Sequence, residues 1–531
     1  MLLLAGTFFV LFFGCWIVGR ELFRDEGLFA TCALEFIPGN PMTAHGVIQR
    51  EVPPLFPALA SVLNHLGVPM EWALRLLAIF MLGAWSLLAG FAAAKRRNFR
   101  AGVVAFFCCS GTIFAMDKGV DGLPTTTAAF FLLAGQLLFF HYGNRLANWN
   151  KAWIGASLLW ITAYLAGGSI VILYIIGPLL FLRRPMSVSS KFNTPGFFIA
   201  CILAALILCI RVFHNGYNMQ MDFLPDNFLL GEYFERLLLF PLKFPVRLFP
   251  WTLLIWLPFC AALQTVDQTP VFSKYLRTMF AVSFAVSWLL PDRPGRELFF
   301  AVGPLAIMTG LNYDLGIRRY WKWFRKALFA GEIFIGLVIV AIAGILFLPE
   351  KFLSCLPDFD VTKFTYSSGY QVLIVAAMMI TVLQQVFFHL QRRQAPIWAL
   401  ILRVSIVCAI FCNVMLLPNY VSEKKWNKLG KDIYNALPEN EKIDVLYKFD
   451  IHGMYCGLFY AGVPVQKIKS LDELPQNKTI YLISSGFPRH FGWRWAPLLP
   501  PEYSFEGVHL TMWRGTPAPE EINDADGEHL K

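Results

Sequence analysis

The sequence predicts an all-α polytopic membrane domain followed by a small C-terminal α/β domain outside the membrane. Three observations predict it. The 531 residues are 57% hydrophobic and only 15% charged, with a mean hydropathy of +0.55, which lies outside the range of soluble domains. Apolar runs of about 20 residues, the length that crosses a bilayer, recur along most of the chain. After about Leu417 the charges return, and short apolar segments bounded by Pro, Gly and Asn take over.

The same composition excludes several classes. Disorder, collagen-like repeats and a disulfide scaffold need high charge, periodic Gly, or Cys far denser than 11 in 531. Most of the cysteines (Cys15, Cys108, Cys109, Cys201, Cys209, Cys260, Cys408, Cys412) sit inside apolar runs and read as small packing residues. The net charge of +10 is no sign of nucleic-acid binding, because the Lys and Arg residues form short clusters between apolar runs, where the membrane explains them.

Reading for span length gives about thirteen transmembrane helices. They centre near 1–19, 72–94, 101–116, 122–142, 152–166, 168–182, 196–213, 251–264, 276–291, 297–314, 328–348, 369–390 and 396–417. The stretch 1–19 has neither a basic n-region nor a small-residue cleavage site, so it reads as a retained first helix rather than a signal peptide.

Orientation follows from the cations, which are kept on the cytoplasmic side. With the N-terminus inside, every second loop is basic: Lys95 to Arg100, Arg145 and Lys151, Arg183 to Lys191, Lys274 and Arg277, Arg318 to Lys326, then Arg392 and Arg393. An odd count places residues 419–531 on the outer face, beyond a membrane domain of residues 1–418. Within that tail, Ile443 to Phe449 and Thr479 to Ser484 read as strands. Cys355 and Cys456 are either a disulfide in an oxidising compartment or two free thiols.

The unusual residues fall in three outside segments. The first, Arg20 to Pro54, carries Glu21, Arg24, Asp25, Glu26, Glu35, His45, Arg50 and Glu51. Carboxylates held together at a membrane surface suit a general base or a hard-cation site. They equally suit a solvated loop whose charges keep it out of the bilayer. The second, Met116 to Pro124, holds Asp117, Lys118 and Asp121; ionisable groups at a helix mouth point to function, whereas an Asp117–Lys118 pair with Asp121 capping the next helix is the structural alternative. The third comprises Arg211 to Pro250, which reads as amphipathic segments lying in the interface, and Pro291 to Glu297, where Arg293 and Arg296 are cations on the unexpected side. They bind a lipid phosphate or simply snorkel.

P-loop, GxGxxG, HExxH, CxxC and GxSxG motifs are absent, and the nine His are dispersed. The first outside segment instead resembles a known pattern. Arg24-Asp25-Glu26-Gly27-Leu28-Phe29-Ala30, then Glu35-Phe36, then Glu51-Val52-Pro53-Pro54-Leu55-Phe56 are similar to the first outside loop of the GT-C membrane glycosyltransferases. There a D-E-x-x-Y/F-A segment is followed by an E-K-P-P-L-like one. The nearest in look are the aminoarabinose (lipid A) transferase-like enzymes and the protein O-mannosyltransferases. Asp121 with Pro124 and Arg296 to Pro304 resemble later segments of the same family.

The resemblance implies transfer of a sugar from a polyprenyl-phosphate donor to an envelope lipid, glycan or protein on the outer face of a bacterial inner membrane. It makes Asp25 the catalytic carboxylate, with Glu26 and Asp121 as further catalytic acids, and sets Glu51 near a metal or the acceptor; a divalent metal ion is the one cofactor it allows for. Arg24, Arg50, Arg293 and Arg296 are the cations left to hold donor phosphate, because the family's basic positions read Val52, Leu28 and Gly167-Gly168 here. A different class of function fits the same scaffold: a non-catalytic lipid-glycan transporter or assembly subunit. Charges deep in several spans would favour transport, and carboxylates confined to outer loops favour transfer. A surface-polysaccharide polymerase or ligase shares the donor type but needs more outside cations than the sequence holds.

Overall fold

The computed structural model describes residues 21–23, 25–49, 52–181, 191–215, 230–290, 296–347, 396–415, 425–438, 443–451, 454–475, 478–488, 493–500, 504–505 and 508–517, with scattered positions from 378 to 390. The expected first span, most of the one near 369–390, and Cys355 lie outside these residues. The chain divides into two compact units, Met1–Arg20 with Glu51–Ser422 and Glu21–Arg50 with Glu423–Lys531. The segment 21–50 departs from expectation, since it folds with the C-terminal domain instead of forming a loop of the membrane domain.

Helix α1 (Asp25–Leu34) belongs to the second unit. Among the described residues of the first unit the longer elements are helices: α2 (Leu55–His65), α3 (Met70–Arg96), α4 (Phe99–Ser110), α5 (Ile113–Lys118), α6 (Thr125–Phe139), α7 (Trp149–Gly167), α8 (Val171–Phe181), α9 (Pro195–Asn215), α10 (Leu230–Arg247), α11 (Pro270–Leu289), α12 (Leu298–Arg319), α13 (Trp321–Phe347) and α14 (Ile397–Met415). Polar caps start three of them. Asn98 accepts from the Ala101 amide, Thr112 from Ala115 and Asn148 from Lys151, meeting donors that a helix start leaves open. Helix α12 is the centre of this unit, every residue from Leu298 to Tyr313 being buried, as expected for a helix apolar all round. Gly310 lets it approach α4, for a β-carbon there would overlap the Ala101 carbonyl.

Among the described residues three helices are long and apolar enough to cross a membrane: Met70–Arg96, Thr125–Arg145 (α6 with its π-helical extension) and Leu298–Arg319; a bent pair, Leu237–Arg247 with Thr252–Phe259, makes a fourth if it is one span. The thirteen expected helices are not established by length and composition, and local chemistry explains part of the difference. The expected span at 101–116 is broken at Gly111 into α4 and α5. That at 251–264 is no single helix: it consists of Thr252–Ile255, a 3-10 turn at Leu257–Phe259 and Ala261–Gln264, with Pro258 unable to donate to a continuing helix. Gly168, at φ +79, separates α7 from α8.

The second unit contains α1, the hairpin β1 (Thr43–Ala44) with β2 (Val47–Ile48), then α15 (Lys425–Ala436), β3 (Leu446–Lys448), α16 (Tyr455–Tyr460), β4 (Val465–Lys467), β5 (Ile480–Ser484), β6 (Trp493–Pro497), β7 (Ser504–Phe505), β8 (Val508–His509) and β9 (Thr511–Pro517). Five strands form one sheet in the order β4-β3-β5-β9-β6. β3 is parallel to both β4 and β5, and β9 is antiparallel to β5 and β6. The two segments read as strands, 443–449 and 479–484, supply β3 and β5, and every residue of β5 is buried. Cys456 is buried.

Candidate functional site

In the first unit the site forms where two helices begin. Asp121 precedes α6 in a tight turn, the Leu123 amide donating to its carbonyl at 2.7 Å, and Arg296 precedes α12. The Phe299 amide donates to the Arg296 carbonyl and that of Phe300 to Glu297, so the first turn of α12 fixes the Arg296 backbone. Arg296 Nη2 then lies 3.3 Å from Asp121 Oδ2. Lys118 Nζ is 4.0 Å from the same oxygen and 3.2 Å from Asp117 Oδ2. Asp121 and Arg296 have side chains only 7% and 13% exposed, where charges attract far more strongly than in water. The Asp117–Lys118 pair of the structural alternative does form, but the cap position of α6 is Pro124.

A buried polar relay supports the turn at 296–297. Tyr174 Oη in α8 and Ser287 Oγ in α11 are 3.1 Å apart, and Ser287 Oγ donates to the Glu297 carbonyl at 3.4 Å. Arg75, in the second turn of α3, is fully buried, and a β-carbon on Gly122 would lie 3.5 Å from its amide nitrogen. Sequence reasoning passed over Arg75 and Glu297. The signal for Arg75 was its place inside an apolar run, where a cation is costly without a task.

A β-carbon on Gly168 would sit 3.6 Å from Pro53, and one on Gly167 would overlap Ala128 and Val171; Val52 is buried.

The acidic residues of the first segment lie in the second unit, and most have visible structural work. Glu21 accepts from the amides of Trp426 (3.2 Å) and Asn427 (2.8 Å), capping α15. The Leu22 amide donates to Tyr460 Oη at 2.8 Å, so the segment is tied to the C-terminal domain from its first residues. Glu26, 1% exposed, accepts from the Phe23 amide through Oε2 at 3.0 Å while its own amide donates to the Phe23 carbonyl, which is the carboxylate half of a capping box. Glu35 accepts from the amides of His45 and Gly46, fixing a two-residue hairpin turn with φ of 55° and 72°. Asp25 differs: it is exposed, at the first residue of α1. Burial pushes the Cys456 thiol up to about 12, and the neighbouring carboxylates of Glu26, Glu21 and Asp25 add to the rise.

The structure therefore brings Asp121 and Arg296 together and places Asp25 and Glu26 side by side in the other unit. Arg24, Arg50, Glu51 and Arg293 lie outside the described residues. Among the described residues no group of three or more His, Cys, Asp or Glu side chains is placed to hold a metal ion.

No protein-family model and no curated protein matches the sequence. The structure superposes on ArnT from Cupriavidus metallidurans bound to undecaprenyl phosphate with a TM-score of 0.65 at 15% identity, covering 97% of each chain. It matches the apo state of that protein with a TM-score of 0.64 at 14% identity, over 91% of this chain and 92% of the other. The oligosaccharyltransferase AglB from Archaeoglobus fulgidus matches with a TM-score of 0.47 at 10% identity, over 87% of this chain and 64% of that one. The chain shares the fold of these ArnT structures.

Proposed function

We infer that the protein is an integral membrane glycosyltransferase that moves a sugar from a polyprenyl-phosphate donor to an envelope lipid, glycan or protein on the outer face of the inner membrane. The observation that carries the reading is the buried Asp121–Arg296 pair. The two side chains lie 3.3 Å apart at the starts of α6 and α12, which supports a shared role at the donor phosphate. In this reading about thirteen spans carry the chain, and residues 419–531 lie in the periplasm.

Asp25 takes the proton of the acceptor hydroxyl, whose oxygen attacks the anomeric carbon as the bond to the donor phosphate breaks. General-base help of this kind is worth about 100-fold to 10,000-fold in rate. The phosphate leaves as an anion and needs cations rather than an acid, which Arg296 supplies with Arg24, Arg50 and Arg293. Asp121 orients Arg296, Glu26 is left with capping, and Glu51 is the residue that would hold a divalent metal or face the acceptor. The undecaprenyl phosphate of the matched ArnT structure supports the donor class, and ArnT's likeness suggests lipid A as one acceptor to try.

The second reading, a non-catalytic scaffold for lipid-linked glycans, has one observation in its favour: the positions Val52, Leu28 and Gly167-Gly168 carry no basic residue where the resembled family has one. Mass spectrometry of envelope lipids and glycans from cells with and without the intact gene separates the two. A glycan or lipid lacking one sugar in the deletion strain supports transfer, and whole species lost from the outer face without a change in sugar content supports transport.

A further inference from the structure

The second unit holds another cluster of titratable groups, which the transfer reading does not use. Lys448 and Lys467 are the last residues of the parallel strands β3 and β4 and stand opposite each other in register. The carboxyl ends of parallel strands are where open α/β sheets take ligands. The β1–β2 turn closes this edge, the Lys467 amide donating to the His45 carbonyl at 2.8 Å. The His45 ring stacks on Tyr455 with centroids 4.9 Å apart and planes at 25°, and Lys448 Nζ lies 5.1 Å over the same Tyr455 ring. The β1–β2 turn and β3, about four hundred residues apart in sequence, thus both meet the Tyr455 ring.

Lys448 is 2% exposed and His45 3%. His45 Nδ1 is buried with no hydrogen-bond partner among the described residues, an arrangement that costs stability unless something else meets it. The Glu35 carboxylate does not: its two oxygens accept from the His45 and Gly46 amides. The electrostatics agree with a gathering of positive charge. Burial, then the ammoniums of Lys448 and Lys467, lowers His45 to about 3, and burial, then Lys467, lowers Lys448 to about 8.

We propose that this edge is a subsite for an anion of the phosphate class, held by the ammoniums of Lys448 and Lys467 and by the Nδ1–H of His45, with Tyr455 as its wall. A tetrahedral oxyanion reaches donors on three sides at once. Lysine binds phosphate as a point charge, and a neutral imidazole with its proton on Nδ1 is a donor without added repulsion. The anion would return Lys448 to full charge and satisfy the buried ring nitrogen. The site is separate from the proposed transfer chemistry and stands or falls independently of it.

The test is saturable binding of inorganic phosphate to the full-length protein in detergent, by equilibrium dialysis, for the parent and for Lys467→Ala, Lys448→Met and His45→Asn. Asn keeps the left-handed turn backbone but is too short to reach the anion. Lys467 is partly exposed, so its variant reports even if the Lys448 variant fails to fold. The expected result is phosphate binding weakened about tenfold by Lys467→Ala and by His45→Asn. Parental affinity in both Lys467→Ala and His45→Asn overturns the proposal. Nanodiscs of phosphatidylglycerol that displace the phosphate, where phosphatidylcholine discs do not, make the ligand a lipid head group; phosphate that stays bound in both makes it a soluble phosphate.

Discussion

Arg296 Nη2 lies 3.3 Å from Asp121 Oδ2, joining the turn before α6 to the turn before α12 across 175 residues. Both side chains are largely buried, so removing one partner strands a charge in a poorly solvated place. Arg296→Ala is expected to destabilise the protein by about 3 kcal/mol. Adding Asp121→Asn to it should recover part of that loss, because the double variant no longer holds an uncompensated carboxylate. Unfolding free energies for the two single variants and the double variant check this; additive losses would show that the two residues do not depend on each other.

The same arginine has a second expected effect. Arg293→Ala with Arg296→Ala should weaken apparent donor affinity, since the sequence sets both cations among Pro and Gly residues in a segment expected outside, where the charge rule puts none. The measurement is transfer rate against concentration of the polyprenyl-phosphate sugar. An unchanged KM for the double variant would remove these residues from donor binding.

Glu26 and its neighbour Asp25 are expected to part company. Glu26→Gln keeps an acceptor for the Phe23 amide and should retain near-parental turnover. Glu26→Ala loses the contact and should cost about 1 kcal/mol of stability. Turnover and unfolding of both variants settle it, and a large rate loss in a stable Glu26→Gln protein would make Glu26 part of the chemistry.

Acid should loosen the C-terminal domain before its carboxylates titrate. His45 is held at about 3 against an ordinary 6.5, so below 6.5 the unfolded chain takes up a proton that the folded one refuses, and stability falls with pH. From 6.5 to about pH 5 the loss is about 2 kcal/mol. Hydrogen-exchange protection of β5, corrected for intrinsic rate, is the readout. A protection profile that His45→Asn leaves as steep as the parent's would contradict it.

Topology gives another expectation. Lys95 to Arg100 and Arg318 to Lys326 should be cytoplasmic and Ser485 extracytoplasmic. Single-cysteine accessibility maps show this directly, and Ser485→Cys labelled only from the cytoplasm would reverse the orientation.

What the sequence made legible was what local chemistry encodes. Composition announced a membrane protein, strand-length apolar runs at 443–449 and 479–484 marked two sheet strands, and stray charges beside helix mouths marked Asp121 and Arg296. What it hid was long-range. That Glu21 caps a helix starting some four hundred residues later has no local signature, so the segment 21–50 read as a membrane-domain loop. The apolar count over 251–264 outweighed Pro258 and suggested a span where the chain makes single turns. Arg75 was readable in principle, but span-finding averages over a lone cation.

The most direct measurement is the transfer rate of purified, correctly folded Asp25→Asn protein supplied with a polyprenyl-phosphate sugar and its acceptor. Asn preserves shape and cannot accept the proton at neutral pH. A fall of about 100-fold to 10,000-fold, with unfolding and donor affinity unchanged, is the expected result. Near-parental turnover would contradict Asp25 as the base.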